Sequence, residues 1–157
     1  MSETVHFEDV LERYGKLIYP NRGASMLPLL RQGRDLMVIE RKGGEPCKKY
    51  DAVLFKRPSA RGPDDYVLHR ILRINKDGSY WIVGDNCCTG DIVREPQILG
   101  TLTAVLRGGK KSVSVSDPLY RVYVALWCGC YPVRFAVIRA RQFGGRCFHR
   151  LKKFIQP

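Results

Sequence analysis

Five short segments rich in β-branched and aromatic residues most constrain what this chain can fold into. They occupy residues 35–41, 51–57, 66–74, 79–84 and 98–107. Gly, Pro, Asn and Asp clusters separate them, and NKDGS between the third and fourth has the composition of a hairpin turn. Regularly spaced short strands favour an antiparallel sheet over alternating βαβ units. The sequence therefore predicts a mainly β fold with flanking helices.

The segments on either side of these strands have helical spacing. Residues 6–18 place apolar side chains at i, i+3, i+4 and i+7, which predicts an amphipathic helix. After Asp117 the pattern is helical again, and two glycines at 144–145 divide it into two predicted helices. We therefore expect an N-terminal helix over 1–20, a β domain over 21–116 and a basic, aromatic helical extension over 117–157.

The positive charge of the chain is concentrated in its last third. Lys and Arg number 27 against 15 Asp and Glu, and from Arg107 onward eleven cations face a single acid, Asp117. A field this one-sided favours an anionic partner, either a lipid surface or nucleic acid. Nucleic acid is the less favoured, because the charge lies away from the predicted strands and the aromatics form no RNA-binding signature.

The basic extension has two interpretations at this stage. Its helices could pack on the sheet with their Lys and Arg side chains in water, or they could dock on an anionic membrane surface. The most apolar stretch, 118–138, is interrupted by Arg121, Pro132 and Arg134, so we expect no transmembrane span. The acidic N-terminus lacks the apolar run of a secretory signal. The expected location is cytoplasmic or peripheral at the cytoplasmic membrane.

The six cysteines do not have the spacing of a metal site. Cys87 and Cys88 are adjacent, Cys128 and Cys130 are separated by one residue, and the other two stand alone. Structural zinc sites use paired Cys or His residues two to four apart, and no two such pairs occur. We expect reduced thiols, no metal and no cofactor.

Three kinds of reactive residue follow one another along the predicted β domain. Ser25 lies in the turn sequence RGASMLPL, His69 lies within the third strand, and Asp85 and Asp91 lie in GDNCCTGD after the fourth. On an alternating strand His69 and Arg70 point to opposite faces. Each residue alone has an ordinary structural interpretation, as a turn serine, a core histidine or a turn-forming acid. Together they match the requirement of a serine nucleophile for a base and an orienting acid.

The segments that carry these residues resemble boxes of the signal peptidase I superfamily. GASMLPLL is similar to its G-x-S-M-x-P box, and YDAVLFKRP, VLHRIL, GDN and ILGTLTAV resemble its later boxes in the same order, over residues 20 to 107. The bacterial type and the self-cleaving SOS repressors have lysine at the base position. The pair His69–Arg70 resembles the endoplasmic-reticulum and archaeal type, which has histidine there.

The resemblance implies a serine endopeptidase with an SOS-repressor-like antiparallel β catalytic domain. Ser25 would be the nucleophile and His69 the general base, with Asp91, or alternatively Asp85, orienting the imidazole. The serine-box residues that would contact the substrate are Gly23, Met26 and Pro28. The implied substrate is an extended peptide or protein precursor with small residues before the cleaved bond. Because the imidazole must be neutral to accept a proton, activity is expected to rise through about pH 6 to 7.

The chain also departs from the family pattern. Gly23 stands where the family has Ser or Thr, and Leu29 stands where Thr usually follows the box proline. No membrane-spanning anchor precedes the serine box. The alternatives are a non-catalytic β module, like the dimerising domains of repressors, and a basic nucleic-acid-binding protein. The first is disfavoured because only about 20 residues precede the serine, too few for a DNA-binding domain.

Overall fold

The computed structural model describes residues 6–59 and 62–141. In this part of the chain the helices are α1 (Phe7–Tyr14), α2 (Pro118–Tyr123, continued by a π-helical turn over Val124–Cys128) and α3 (Tyr131–Arg141), with a short 3₁₀ turn at Glu95–Gln97. The strands are β1 (Lys16–Pro20), β2 (Leu36–Arg41), β3 (Ala52–Arg57), β4 (Asp65–Ile74), β5 (Tyr80–Val83), β6 (Gly90–Val93), β7 (Ile98–Arg107) and β8 (Lys111–Ser114).

The strands form one antiparallel sheet in the order β1-β2-β7-β3-β4-β5-β6, with β8 paired to β7. The predicted mainly antiparallel β fold is confirmed at this level. The five predicted segments correspond to β2, β3, β4, β5 and β7, with ends within one residue. The NKDGS turn joins β4 to β5 as predicted, and Asn75 N–H donates to the Ser79 carbonyl at 2.8 Å.

The N-terminal helix is shorter than predicted. Gly15 adopts the left-handed conformation (φ 68°) and its N–H donates back to the Leu11 carbonyl, which ends α1 after Tyr14. Residues Lys16–Pro20 then form β1, an edge strand paired with β2. The prediction of a helix through residue 18 was therefore wrong in its second half. The sheet begins before residue 21, the predicted start of the β domain.

Strand β4 presents its side chains alternately to two sides of the sheet. Ile71 packs in one apolar cluster with Val53 and Ile82, whereas Leu68 packs in another with Leu54. In the β3–β4 ladder His69 pairs with Val53 and Arg70 with Ala52, so these two polar side chains point to opposite faces. The predicted alternation is confirmed.

Residues 118–141 are mostly helical, with a break that the sequence analysis did not predict. Helices α2 and α3 meet at an angle of 75° across a break at Gly129 and Cys130. The predicted division at glycines 144–145 lies outside the described residues. Within the described ranges, no single helix has the length and apolar character needed to cross a bilayer. The bent pair meets those two requirements only when its helices are taken together.

Candidate functional site

A cavity of about 760 Å³ brings three of the sequence-predicted catalytic residues together. Its lining includes Ser25 from the turn after β1, His69 from β4 and Asp91 from β6. These residues are far apart in the sequence. Strands β4, β5 and β6 are consecutive neighbours, which brings His69 and Asp91 together, and the turn after β5 bonds to the Ser25 loop. Asp85 does not line the cavity.

The turn after β5 holds the serine loop in position. The backbone N–H of Asn86 donates to the Ser25 carbonyl at 2.7 Å, and the Asn86 side-chain amide donates to the Ala24 carbonyl at 3.2 Å. Ser25 is half-buried, and its turn runs directly into Met26, which is anchored in the core. The serine is therefore fixed on both sides.

Gly84 lies where the serine loop, the histidine ring and a cysteine converge. A Cβ added at Gly84 would lie 2.7 Å from the Ser25 carbonyl oxygen, 2.8 Å from Cys87 Sγ and 2.9 Å from His69 Nε2. All three groups therefore border one space at Gly84, which is too small to hold a methyl group. Within the described chain no direct hydrogen bond joins the Ser25 side chain to the ring. Such bonds are often long without substrate and tighten when it binds.

The imidazole of His69 is buried with one nitrogen unpaired. The side chain is 9% exposed, and Nδ1 has no hydrogen-bond partner among the described residues. Asp91 Oδ2 lies 3.8 Å from Nδ1, too far for a hydrogen bond but close enough to act through its charge. Burial lowers the pKa of His69, and the Asp91 charge opposes this shift. The ring is therefore neutral at neutral pH and able to accept a proton.

Arg57 is a charged neighbour that sequence patterns did not reveal. It lines the cavity, and its Nη1 lies 3.8 Å from Asp91 Oδ2. Asp91 is thus shared between the guanidinium of Arg57 and the ring of His69. The positive charge of Arg57 further lowers the pKa of His69.

Asp85 lies on the other face of the sheet and binds Arg70. Both side chains are fully buried, and the guanidinium donates to the two carboxylate oxygens at 2.9 and 2.7 Å. Tyr123 of α2 donates a further bond to Asp85 at 2.8 Å. Of the two acids left open by the sequence, Asp91 stands beside the His69 ring. Asp85 instead organises the packing of α2 on the sheet.

The three serine-box residues expected to contact substrate are absent from the cavity lining. Met26 is 1% exposed and packs in the core beneath the turn. Gly23 is exposed with a positive φ of 77°, and its N–H donates to the Gln32 side chain at 2.9 Å. Pro28 is exposed away from the cavity. Their placement gives these residues a role in shaping the turn, and it does not bring their side chains to a bound peptide.

The cavity extends from Ser25 toward an aromatic end. Phe7 of α1 contacts Tyr19 and Tyr66, with ring centroids 4.7 and 4.5 Å apart. One wall is formed by residues 65–69 of β4. Strand β5 pairs with β4 only from Arg70 onward, so this half of β4 has one edge without a strand partner. Residues 65–69 line the cavity, and among the described residues no strand pairs with this edge.

The cavity also contains a second nucleophile type, Cys87. Its thiol is half-buried, and burial raises the pKa of Cys87, which disfavours the reactive thiolate. Among the described residues, no three His, Cys, Asp or Glu side chains are grouped so that they could hold a metal ion.

Comparison with known proteins assigns neither family nor activity. No protein-family model, no curated protein and no solved structure matches this chain. The chemistry of the cavity residues is therefore the basis for a functional assignment.

Proposed function

We propose that this chain is a serine endopeptidase of the signal peptidase-like type that cleaves an extended precursor or leader peptide. The observation that carries the proposal is the convergence of the Ser25 loop and His69 Nε2 on the space at Gly84. Asp91 stands beside the other ring nitrogen, as a group that stabilises an imidazolium should. The ordered resemblance over residues 20 to 107 supports the same assignment.

Each of these side chains has a role in the proposed reaction. Ser25 Oγ attacks the peptide carbonyl while His69 Nε2 takes the hydroxyl proton. His69 then returns the proton to the leaving amine as the C–N bond breaks, which leaves an ester on Ser25. Water, deprotonated by the same imidazole, hydrolyses that ester and restores the serine. Asp91 stabilises the imidazolium formed in both steps.

The open edge of β4 supports an extended substrate. Residues 65–69 border the cavity and lack a strand partner on that edge. A peptide in β-conformation could pair its main chain with this edge and so present its carbonyl to Ser25. Backbone pairing gives affinity without demanding particular side chains, which suits a precursor-processing enzyme.

Cys87 is the alternative nucleophile in the cavity. Its thiol borders the same space at Gly84, yet burial raises its pKa and keeps it protonated. A cysteine peptidase would need the opposite shift, toward the thiolate. Ser25 needs no ionisation before attack, because His69 removes its proton as the bond forms.

A fluorophosphonate probe, which reacts with activated serines, tests the proposal. We expect Ser25→Ala to abolish labelling and His69→Ala to slow it by at least about 100-fold, the contribution of a general base. Ser112→Ala and His6→Ala are matched controls, since both residues are exposed and lie outside the cavity. Unchanged labelling of the Ser25 and His69 variants would contradict the proposal. Loss of labelling in Cys87→Ala alone would show that the Cys87 thiol, and not Ser25, is the nucleophile.

A further inference from the structure

We propose that the outer face of helices α2 and α3 docks on a membrane surface that contains anionic lipids. This outer helical face is made of the exposed side chains of Pro118–Cys128 and Tyr131–Arg141. The large apolar members of the face are Leu119, Val122, Leu126, Val133 and Val137. The inference concerns a surface outside the cavity and does not rest on the proposed peptidase activity.

The outer helical face concentrates the exposed apolar surface of the protein. Nine large apolar side chains are strongly exposed in the described ranges, and five of them belong to this face. Leu119 is 82% exposed, Leu126 is 68% exposed and Val133 is 64% exposed. Leu119 and Leu126 are separated by seven residues, so they stand two helical turns apart on one side of α2. A concentration of exposed apolar side chains on one pair of helices indicates an interaction site.

The inner side of the same helices is bonded to and packed against the β domain. Trp127 Nε1 donates to the Asp85 backbone carbonyl at 2.9 Å, and Tyr123 binds the Asp85 carboxylate. Arg134 of α3 is 1% exposed and lies against Gly84 and Asp85, and Ile138 of α3 is 3% exposed. In water-facing helices the apolar stripe is turned inward and the polar groups outward. Here polar groups anchor the helices inward and an apolar stripe faces outward.

The charged residues of the outer helical face are all cationic. Arg121, Arg139 and Arg141 are exposed on it, and the sequence from 118 to 157 contains eight Lys and Arg and no Asp or Glu. Apolar side chains flanked by cations fit a bilayer interface, where the former enter the acyl boundary and the latter meet lipid phosphates. A surface without acids is complementary to anionic lipid, and each cation near it raises affinity about fivefold.

The attachment of the helices favours docking along the membrane over crossing it. The bonds of Tyr123 and Trp127 hold α2 to the polar turn after β5, and the pair bends by 75° between α2 and α3. A helix crossing the bilayer would expose these bonded groups to hydrocarbon, which costs several kcal/mol for each polar group left unpaired. Of the two sides of this helix pair, the outer helical face is the one left exposed to contact lipid.

Vesicle co-sedimentation of the full chain tests the proposal. Vesicles of phosphatidylcholine alone are compared with vesicles that also contain phosphatidylglycerol, at low and high salt. We expect binding to the anionic vesicles that weakens with salt. The double variant L119S/L126S is expected to lose about tenfold in partitioning for each leucine removed. The control I18S/I74S removes two apolar side chains that are about half exposed on the sheet, and it should bind like the wild type.

A second set of variants separates the contribution of charge. The triple variant R121Q/R139Q/R141Q should bind anionic vesicles more weakly and with a shallower salt dependence. Circular dichroism and thermal unfolding of each variant show whether it remains folded.

Three results would overturn the proposal. The first is a wild-type protein that does not bind anionic vesicles. The second is equal binding by L119S/L126S and the wild type, which would assign any binding to charge outside the apolar face. The third is a wild-type dimer in sedimentation velocity that becomes monomeric in L119S/L126S and binds no vesicles, since a second copy of the chain would then cover the face.

Discussion

The backbone N–H of Asn86 donates a 2.7 Å hydrogen bond to the carbonyl oxygen of Ser25. This bond joins the turn after β5 to the turn after β1, two loops that are distant in the sequence. The same turn places Gly84 against the His69 ring. The position of the serine relative to the histidine is therefore set by one short turn, and changes in that turn should affect reactivity before they affect the fold.

Gly84→Ala is the most direct perturbation of this arrangement. The added methyl group would lie 2.7 Å from the Ser25 carbonyl and 2.9 Å from His69 Nε2, closer than nonbonded atoms allow. We expect the serine loop and the ring to separate, with loss of fluorophosphonate labelling and a destabilisation of about 1–3 kcal/mol from overpacking. Labelling rates and thermal unfolding measure the two effects.

Gly43→Ala is the control for this variant, because a Cβ at Gly43 meets nothing within 4 Å. It should label and unfold like the wild type. Normal labelling of Gly84→Ala would show that the convergence at Gly84 does not matter for reactivity.

Asp85→Asn should act on stability. The change leaves the fully buried guanidinium of Arg70 without its charged partner, and breaking such a pair costs about 3–5 kcal/mol. Denaturant unfolding would measure the loss. Glu45→Gln makes the same chemical change at an exposed site and should alter stability by less than about 0.5 kcal/mol. Equal stability of the two variants would contradict a structural role for Asp85.

Asp91→Asn should act on catalysis with little effect on folding. Asp91 is 30% exposed and its charge favours the imidazolium form of His69. Removing that charge raises the barrier to proton transfer, and we expect kcat/KM to fall by about tenfold or more, equivalent to about 1.4 kcal/mol. Because the pKa of His69 then falls further, the acid limb of the pH profile should move to lower pH. A purely structural defect would lower the rate without that movement.

The pH dependence of activity follows from the burial of His69. Burial lowers the pKa of His69 below its ordinary value of 6.5, so the ring remains neutral to a lower pH than in water. Activity should therefore increase as the pH is raised, with a midpoint below pH 6.5, and it should reach its plateau at neutral pH. The sequence alone suggested a rise through about pH 6 to 7, which is the range of an exposed histidine.

Arg57→Gln tests the direction in which the midpoint of the pH profile moves. The Arg57 charge lowers the pKa of His69, so its removal should move the midpoint upward. Activity measured across the acid pH range for the wild type and for Arg57→Gln gives the two midpoints. An acid limb that is absent, or one that moves downward in Arg57→Gln, would exclude His69 as the titrating base.

The sequence predicted the strands that contain a buried apolar pattern and missed those that do not. Strands β2, β3, β4, β5 and β7 are rich in β-branched or aromatic residues and bounded by turn residues. Strands β1, β6 and β8 are short, and each buries at most one side chain. Residues 16–20 continued the helical spacing of α1, and only the left-handed Gly15 reveals where the helix ends.

The candidate site could be predicted in its residue types but not in its full geometry. Ser25, His69 and Asp91 were identified from order and chemistry, and the structure places all three at one cavity. The choice between two acids required knowing which sheet face each occupies. Gly84 and Arg57 were missed because their importance depends on contacts between distant loops, which no local pattern encodes.

The most direct test of the central claim is to locate the covalent fluorophosphonate adduct by mass spectrometry of the digested protein. The account predicts a single adduct on the peptide that contains Ser25, formed at neutral pH and at least about 100-fold more slowly in His69→Ala. An adduct on Cys87 or on a surface residue such as Ser112, or no adduct at all, would contradict it.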